Sequence, residues 1–442
     1  MSSSLPGLSG LRFSIHTFGC QMNEYDSERL AGFLTAEGAV PADAPETSDV
    51  VIVNTCAVRA KSEAKLFSYL GRLQALRRRG VLVGVVGCVA QLRKDRLLRE
   101  KPAADFVLGP DNYLQIAEVL RESRKRTVAA TGRTRFWREG GPASVLRKSR
   151  VSAYATIMEG CDNFCAYCIV PFARGREKCR PIEAILAEVE RLAEEGFREI
   201  RLLGQNVNSY RDPKTGESFP GLLRRVAAVA GISWIRFITS HPKSFADEII
   251  EAMASSPKIC RQLHLPLQAG SSTLLARMKR GYTRDDYLDL VRNLRSRLPG
   301  IALSADIIVG FPGETEAEFQ ETLSALETVR FANIFSFRYS PRPLTAASKI
   351  PDDVPAEVKQ RRLLEVQTLQ KSIQTEFHKG LIGRTVRVLC SGRSKKDPGT
   401  YAGRNEGSQV VNFQAAEDCL GRFVDVRITS SGPYSLRGEL VE

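Results

Sequence analysis

No stretch of this 442-residue sequence stays apolar long enough to cross a bilayer. The longest such run, Val81 to Ala90, is half the necessary length and is broken by two glycines. Residues Met1 to Gly7 carry neither a charged start nor an apolar core, so no signal peptide is expected and a cytoplasmic protein follows. In that compartment the ten cysteines are metal ligands or buried thiols rather than disulfides, because the cytosol keeps thiols reduced. Acid is the scarcer charge, 50 Asp and Glu against 64 Lys and Arg, and the net +14 is the electrostatic footprint of a protein that approaches phosphate backbones. The chain is too long for one ordinary core, so two or three domains are expected.

Strand, loop and helix signals alternate from Arg12 onward. Phe13 to Phe18 reads as a strand, Gly19-Cys20-Gln21-Met22-Asn23 as a loop, and Tyr25 to Thr35 as a helix. The unit recurs: Val50 to Asn54, then Thr55-Cys56 and a basic helix to about Arg79; Val81 to Val86, then Gly87-Cys88 and a further helix. Such alternation implies a parallel sheet, whose ligands sit beyond the carboxyl ends of the strands. Cys20, Cys56 and Cys88 each fall just after a strand, so three loops deliver three thiols to one sheet edge. Three unrelated buried cysteines are the plainer alternative, which leaves their matched placement unexplained. From Arg121 to Arg150 there are ten Lys or Arg and two acids, the mark of a solvated linker or of a connector that touches a polyanion.

Cys161, Cys165 and Cys168 stand in Cys-x3-Cys-x2-Cys spacing. Three thiolates on one loop hold three irons of a [4Fe-4S] cluster and leave the fourth open to the amino and carboxylate groups of S-adenosylmethionine, the radical SAM signature. The same spacing also suits one face of a helix, but Gly160, Asp162, Asn163 and Pro171 favour a loop. A structural zinc site with Cys179 as fourth ligand stays open at this point.

Six further strands are expected at Ser152 to Ile157, Glu199 to Leu203, Trp234 to Ile238, Gln262 to Leu265, Leu303 to Val309 and Asn333 to Arg338, separated by helices. They fit an open (β/α)6 partial barrel, with the cysteine loop after the first strand on the active face. At strand ends lie Gln205 and Asn206, Ser240, and Gln268, whose amides and hydroxyl suit the polar parts of S-adenosylmethionine, and Tyr167 within the cysteine loop is added to them. His241 and His264 are read as hydrogen-bonded structural residues. A charged helix, about Ala356 to Lys379, precedes Val-rich runs at Thr385 to Leu389, Gln409 to Phe413 and Phe423 to Ile428, a small all-β barrel or sandwich. Arg393, Lys395, Lys396 and Arg404 form a basic hairpin there, suited to RNA or to solvent.

Phe18-Gly19-Cys20-Gln21-Met22-Asn23, Asn54-Thr55-Cys56-Ala57-Val58-Arg59, Gly87-Cys88-Val89-Ala90-Gln91 and Glu159-Gly160-Cys161 through Cys168, followed by a terminal β-domain, closely resemble the methylthiotransferases over almost the whole chain. Arg338 to Pro343, Gly392 to Asp397 and Val410 to Phe413 are most similar to the branch of the family that acts on tRNA. The resemblance implies an α/β fold with an N-terminal parallel-sheet domain over residues 10–125, a basic linker over 126–150, a radical SAM (β/α)6 partial barrel over 151–380 and a TRAM β-barrel over 381–442. It implies two [4Fe-4S] clusters, one on Cys161, Cys165 and Cys168 and an auxiliary one on Cys20, Cys56 and Cys88, with no catalytic residue assigned beyond these ligands. One S-adenosylmethionine gives the methyl group and a second the 5′-deoxyadenosyl radical. The implied substrate is N6-isopentenyladenosine on the 3′ side of the anticodon in the tRNA anticodon loop, converted to its 2-methylthio derivative. The remaining partners are an electron donor of flavodoxin or ferredoxin type and no membrane, and a monomer is expected. The sequence departs from the family pattern at Cys179, where serine is usual, and at Leu344, where glycine is common.

Three rivals stand beside this reading. Two share both clusters but act on a ribosomal protein aspartate or on threonylcarbamoyl-adenosine in tRNA; overall basicity favours RNA over the first. The third is a zinc-containing RNA-binding protein without catalysis, which metal analysis separates from the others.

Overall fold

A computed structural model describes residues 8–100, 104–137, 145–394 and 397–441. The chain divides into two compact units. The first holds Met1–Lys148, Glu159–Asp162 and Cys168–Cys179; the second holds Ser149–Met158, Asn163–Tyr167 and Arg180–Glu442.

The first unit is built on strands β1 (Arg12–Phe18), β2 (Val40–Pro41), β3 (Val50–Thr55), β4 (Leu82–Gly87), β5 (Phe106–Leu108) and β6 (Val128–Ala130), all parallel in the order β2-β1-β3-β4-β5-β6. Because β3 is central, all six of its residues are buried: Val51 and Val53 pack on one face with Leu66, Leu70 and Leu97, Val50 and Ile52 on the other with Leu30, Leu34 and Phe106. Helices α1 (Gln21–Ala36), α2 (Ala60–Arg78) and α3 (Cys88–Arg99) follow β1, β3 and β4. The strand order reverses between β1 and β3, and such a switch point opens a crevice at the strands' carboxyl ends. Helix α4 (Ile116–Ser123), the short α5 (Val170–Arg174) and the short strand β9 (Lys178–Cys179) complete this unit, and the two-residue strand β8 (Met158–Glu159) has one residue in each unit. Two details differ from the sequence reading. Helix α1 begins at Gln21 with Cys20 as its N-cap, because the Asn23 side chain closes a capping box there. The stretch read as a linker starts with β6, an edge strand of only three residues.

In the second unit β7 (Ser152–Thr156), β10 (Glu199–Leu203), β11 (Trp234–Phe237), β12 (Gln262–His264), β13 (Ala302–Val309) and β14 (Asn333–Arg338) are parallel and lie in chain order, as sheets β11-β10-β7 and β12-β13-β14 joined by a parallel bridge between Ile235 and Ile259. These are the six strands expected, to within a residue or two at their ends. Helices α6 (Ile182–Glu194), α7 (Phe219–Ala228), α8 (Asp247–Ser255), α9 (Ser272–Arg277), α10 (Arg284–Arg297) and α11 (Glu316–Val329) form the outer layer, and α12 (Ala356–Lys379) leads out.

The terminal segment is a closed barrel of β15 (Thr385–Arg393), β16 (Tyr401–Asn405), β17 (Val410–Phe413), β18 (Phe423–Ser431) and β19 (Leu436–Leu440) in the order β15-β16-β17-β19-β18. Strands β16 and β19 escaped the sequence reading. Their glycines lower strand propensity but are needed: a Cβ on Gly403 would stand 2.4 Å from the Leu389 carbonyl oxygen. The barrel is joined to the strands beside it by an apolar seam of Val151, Trp234, Cys260 and Leu389, with Trp234 edge-on to Phe423 at 4.8 Å. Arg236 adds a polar clasp, donating to the carbonyl oxygens of Glu406 at 2.6 Å and Asn405 at 2.8 Å and to Glu199 at 2.7 Å. Among the described residues no helix is long and apolar enough to cross a membrane.

Candidate active site

Cys20 caps α1, Cys56 follows β3 and Cys88 opens α3, so all three stand at the switch-point edge. Asparagines of the same motifs lock the loops together. Asn23 donates to the Asn54 side-chain oxygen at 2.9 Å, and Asn54 donates to the Asn23 carbonyl and the Ser27 hydroxyl, each at 2.9 Å. Asn23 Oδ1 accepts from the Cys20 N–H and thiol at 3.4 Å, and the Cys56 N–H donates to the Phe18 carbonyl at 3.0 Å. Gly87 turns the chain toward Cys88 at φ +90°, ψ −154°, and a Cβ there would meet Asn54 Oδ1 at 2.4 Å. Only glycine tolerates that combination. Gly87→Ala is therefore expected to destabilise the first unit by roughly 2 kcal/mol, read as a lower denaturation midpoint; an unmoved midpoint would mean that the turn is unstrained.

The thiols behave as a group. A hydrogen bond with Cys56 lowers the Cys20 thiol to about 6 despite burial, with help from Asn23 and Arg174. The same bond, then burial, pushes Cys56 up, and burial raises Cys88 while Arg174 opposes it. Arg174, the last residue of α5, donates from Nε to Cys88 Sγ at 3.3 Å and pairs with buried Asp26, which also accepts from the Tyr113 hydroxyl at 3.2 Å. Two of the thiols stand at helix N-termini, where negative charge is favoured. Among the described residues no three His, Cys, Asp or Glu converge on one point as ligands of a single ion. Three thiols delivered by three loops to one sheet edge are a donor set of the type that iron–sulfur clusters take.

Of the second cysteine set, Cys161 and Cys168 fall in the first unit and Cys165 in the second. The Cys161 N–H donates to the Gly175 carbonyl at 3.2 Å. Cys165 is buried, and its Sγ accepts from Arg280 Nη1 at 3.3 Å with His241 Nε2 at 3.9 Å. Burial, then Arg280 and Lys243, pushes His241 down to about 3, so the ring is neutral at physiological pH. Its backbone is held on both sides by the Asn208 amide. His264 bonds Ser304 at 3.1 Å and lies 3.4 Å from Asp306, a structural setting as expected.

Ser240 and Gln268 lie beyond β11 and β12. Ser240 Oγ and Gln268 Oε1 are buried without a hydrogen-bond partner among the described residues. Buried polar atoms are rarely left so, and a polar ligand is the ordinary remedy. Gln268 and the neighbour of Ser240, Thr239, have φ of +72° and +73°, strain of the kind that collects at binding sites. These features fit the amino-acid and ribose groups of S-adenosylmethionine. Asn206 is buried, while Gln205 and Tyr167 are half-buried, with the Tyr167 hydroxyl 3.4 Å from Arg280. Arg393 is exposed over the Tyr401 ring at 3.9 Å, and exposed Arg404 donates to the Ser408 carbonyl at 2.6 Å. Lys395 and Lys396 lie outside the described residues.

Three family descriptions match in chain order: Uncharacterized protein family UPF0004 over residues 12–109, the Radical SAM superfamily over 155–326 and the TRAM domain over 379–441. The tRNA-2-methylthio-N(6)-dimethylallyladenosine synthase of Geobacter sulfurreducens is 48% identical over 438 residues, covering 97% of each chain. That of Thermotoga petrophila is 44% identical over 434 residues, covering 98% of this chain and 97% of its own. A solved structure of the radical S-adenosylmethionine methyltransferase TsrM from Kitasatospora setae shares the fold at TM-score 0.58 and 18% identity, over 77% of this chain and 75% of that one. The radical SAM match brings a [4Fe-4S] cluster and S-adenosylmethionine as cofactors. With a family of the same length aligned end to end at nearly half identity, the protein is a member of the radical SAM methylthiotransferases, the family of the tRNA-2-methylthio-N(6)-dimethylallyladenosine synthases.

Proposed function

We propose that this protein converts N6-isopentenyladenosine, beside the anticodon of tRNA on its 3′ side, to the 2-methylthio derivative. The observation that carries the reading is the clasp of Asn23 and Asn54, which ties the loops of Cys20 and Cys56 together at the sheet edge where Cys88 also opens its helix. Those three cysteines hold an auxiliary [4Fe-4S] cluster, and Cys161, Cys165 and Cys168 hold the cluster that meets S-adenosylmethionine. When bound, these groups supply the electron, the methyl group, the sulfur and the 5′-deoxyadenosyl radical that an aromatic C–H bond without usable acidity requires.

The chain's own residues bind and orient. Ser240, Gln268, Asn206, Gln205 and Tyr167 hold the polar parts of S-adenosylmethionine and keep the reactive groups in register. Neutral His241 packs against Cys165 without adding a second cation to Arg280. Arg393, Arg404, Lys395 and Lys396 grip phosphates of the tRNA and leave base recognition to the pocket. The domains run over residues 10–125, 126–150, 151–380 and 381–442, the protein works as a cytoplasmic monomer, and its electrons come from a flavodoxin or ferredoxin.

The test is nucleoside mass spectrometry after incubation with S-adenosylmethionine, reductant and purified tRNAs that differ in the N6 group. Methylthiolation of isopentenylated tRNA is expected. Turnover only on threonylcarbamoyl-adenosine, or only on ribosomal protein, would move the substrate to the corresponding rival.

A further inference from the structure

The two cysteine sets each have a buried guanidinium 3.3 Å from one thiol, but their charge balance differs. Arg174 beside Cys88 is paired with Asp26 and has Glu159 at 4.0 Å. Arg280 beside Cys165 is 4% exposed and has no carboxylate within ion-pair distance among the described residues. Its polar neighbours include no carboxylate: Tyr282 Oη at 3.1 Å from Nε, Tyr167 Oη at 3.4 Å and Cys165 Sγ at 3.3 Å from Nη1, and the Pro266 carbonyl at 3.0 Å from Nη2. A buried cation without a counter-ion is costly, and the chain goes further to keep it there. The residues on either side, Lys279 and Gly281, have φ of +57° and +69°, and for lysine that is a strained backbone. The guanidinium is fixed by four hydrogen bonds and its charge is left for something outside the protein's own carboxylates.

We infer that Arg280 is a positioning residue whose uncompensated positive charge eases one-electron reduction of the centre held by Cys161, Cys165 and Cys168. The inference rests on the assignment of those cysteines given above. A one-electron donor of the flavodoxin or ferredoxin class supplies the electron; the centre accepts it, and the added negative charge meets the cation across the bond to Cys165 Sγ. Hydrogen bonds to ligand sulfur and nearby charge are recognised levers on such potentials. Arg174, neutralised by Asp26, exerts no comparable pull on its own centre.

The measurement is an anaerobic redox titration of the reconstituted full-length enzyme, followed by EPR, with the relevant centre identified as the signal that changes when S-adenosylmethionine is added. Arg280→Gln is expected to shift its reduction equilibrium at least tenfold toward the oxidised form, 59 mV for one electron. Arg280→Lys, whose ammonium cannot reach Cys165, Tyr282 and Pro266 together, is expected to shift it about threefold, and Arg174→Lys not at all. An unchanged potential in both Arg280 variants, or in Arg280→Lys where Arg280→Gln does not fold, overturns the inference. Failure of the underlying assignment is separately visible: the S-adenosylmethionine-sensitive signal would then persist in Cys165→Ala.

Discussion

Cys56→Ala is expected to abolish formation of the methylthio nucleoside and to halve the bound iron, from about eight to about four per chain. Cys56 is 3% exposed just past the fully buried strand β3, and its free thiol is hydrogen-bonded to that of Cys20. Alanine leaves the backbone bond to Phe18 in place and removes only the sulfur. The remaining pair, Cys20 and Cys88, offers one thiol fewer than the three that leave a cubane with a single open corner. Because the other cysteine set is untouched, reductive cleavage of S-adenosylmethionine should continue, and 5′-deoxyadenosine should still accumulate. Two controls bracket the result. Cys260→Ser, at a thiol that burial in the apolar seam pushes up to about 12, should cost stability but no iron. Cys179→Ser should leave iron and product unchanged, since serine is usual at that position. Full iron content in Cys56→Ala would sink the auxiliary centre, and with it the sulfur-inserting role.

What the sequence revealed and what it hid have separate physical causes. The placement of Cys20, Cys56 and Cys88 was legible because a thiol one or two residues past a strand of a parallel sheet lands on the sheet edge whatever the rest of the domain does. The six barrel strands were legible as apolar runs bounded by turn residues. Arg174 and Arg280 were not. An arginine reads as a surface residue, and only the fold reveals that Pro-Phe-Ala-Arg174 ends a short helix beside Cys88, or that two left-handed residues drive Arg280 inward. Asn23 and Asn54 stand inside the cysteine motifs, yet their pairing crosses 31 residues and no local pattern encodes it. Leu344 stands where glycine is common, and its φ of +75° gives the reason. The three-residue strand β6 and the glycine-bearing β16 carry too little propensity to announce themselves, since each exists because a neighbouring strand pairs with it.

Arg236→Met is expected to lower stability by about 2–3 kcal/mol, because it removes a buried charge-assisted hydrogen bond to Glu199 and leaves that carboxylate to Arg201 alone. Burial alone would push Glu199 up, but Arg236 and Arg201 outweigh it and hold the carboxyl at about 2. Its ordinary value is 4.5, so the folded state binds this proton less tightly than the unfolded one. The stabilisation is then complete above about pH 4.5 and is lost as pH falls toward 2, a total on the order of 3 kcal/mol. Denaturation midpoints of the wild type should fall across that window. Glu199→Gln should flatten the dependence, and in a Glu199→Gln/Arg236→Met pair the two losses should not add, since both single variants already lose the bond between these side chains. The same guanidinium also holds the carbonyls of Asn405 and Glu406, so its removal releases the turn between β16 and β17 from the strand beside it. KM for tRNA should therefore rise several-fold in Arg236→Met while kcat falls little, because the groups around Cys165 do not include Arg236. An unchanged KM in a folded variant would mean that the apolar seam of Trp234, Leu389 and Phe423 alone fixes the terminal barrel, and that Arg236 serves Glu199 only.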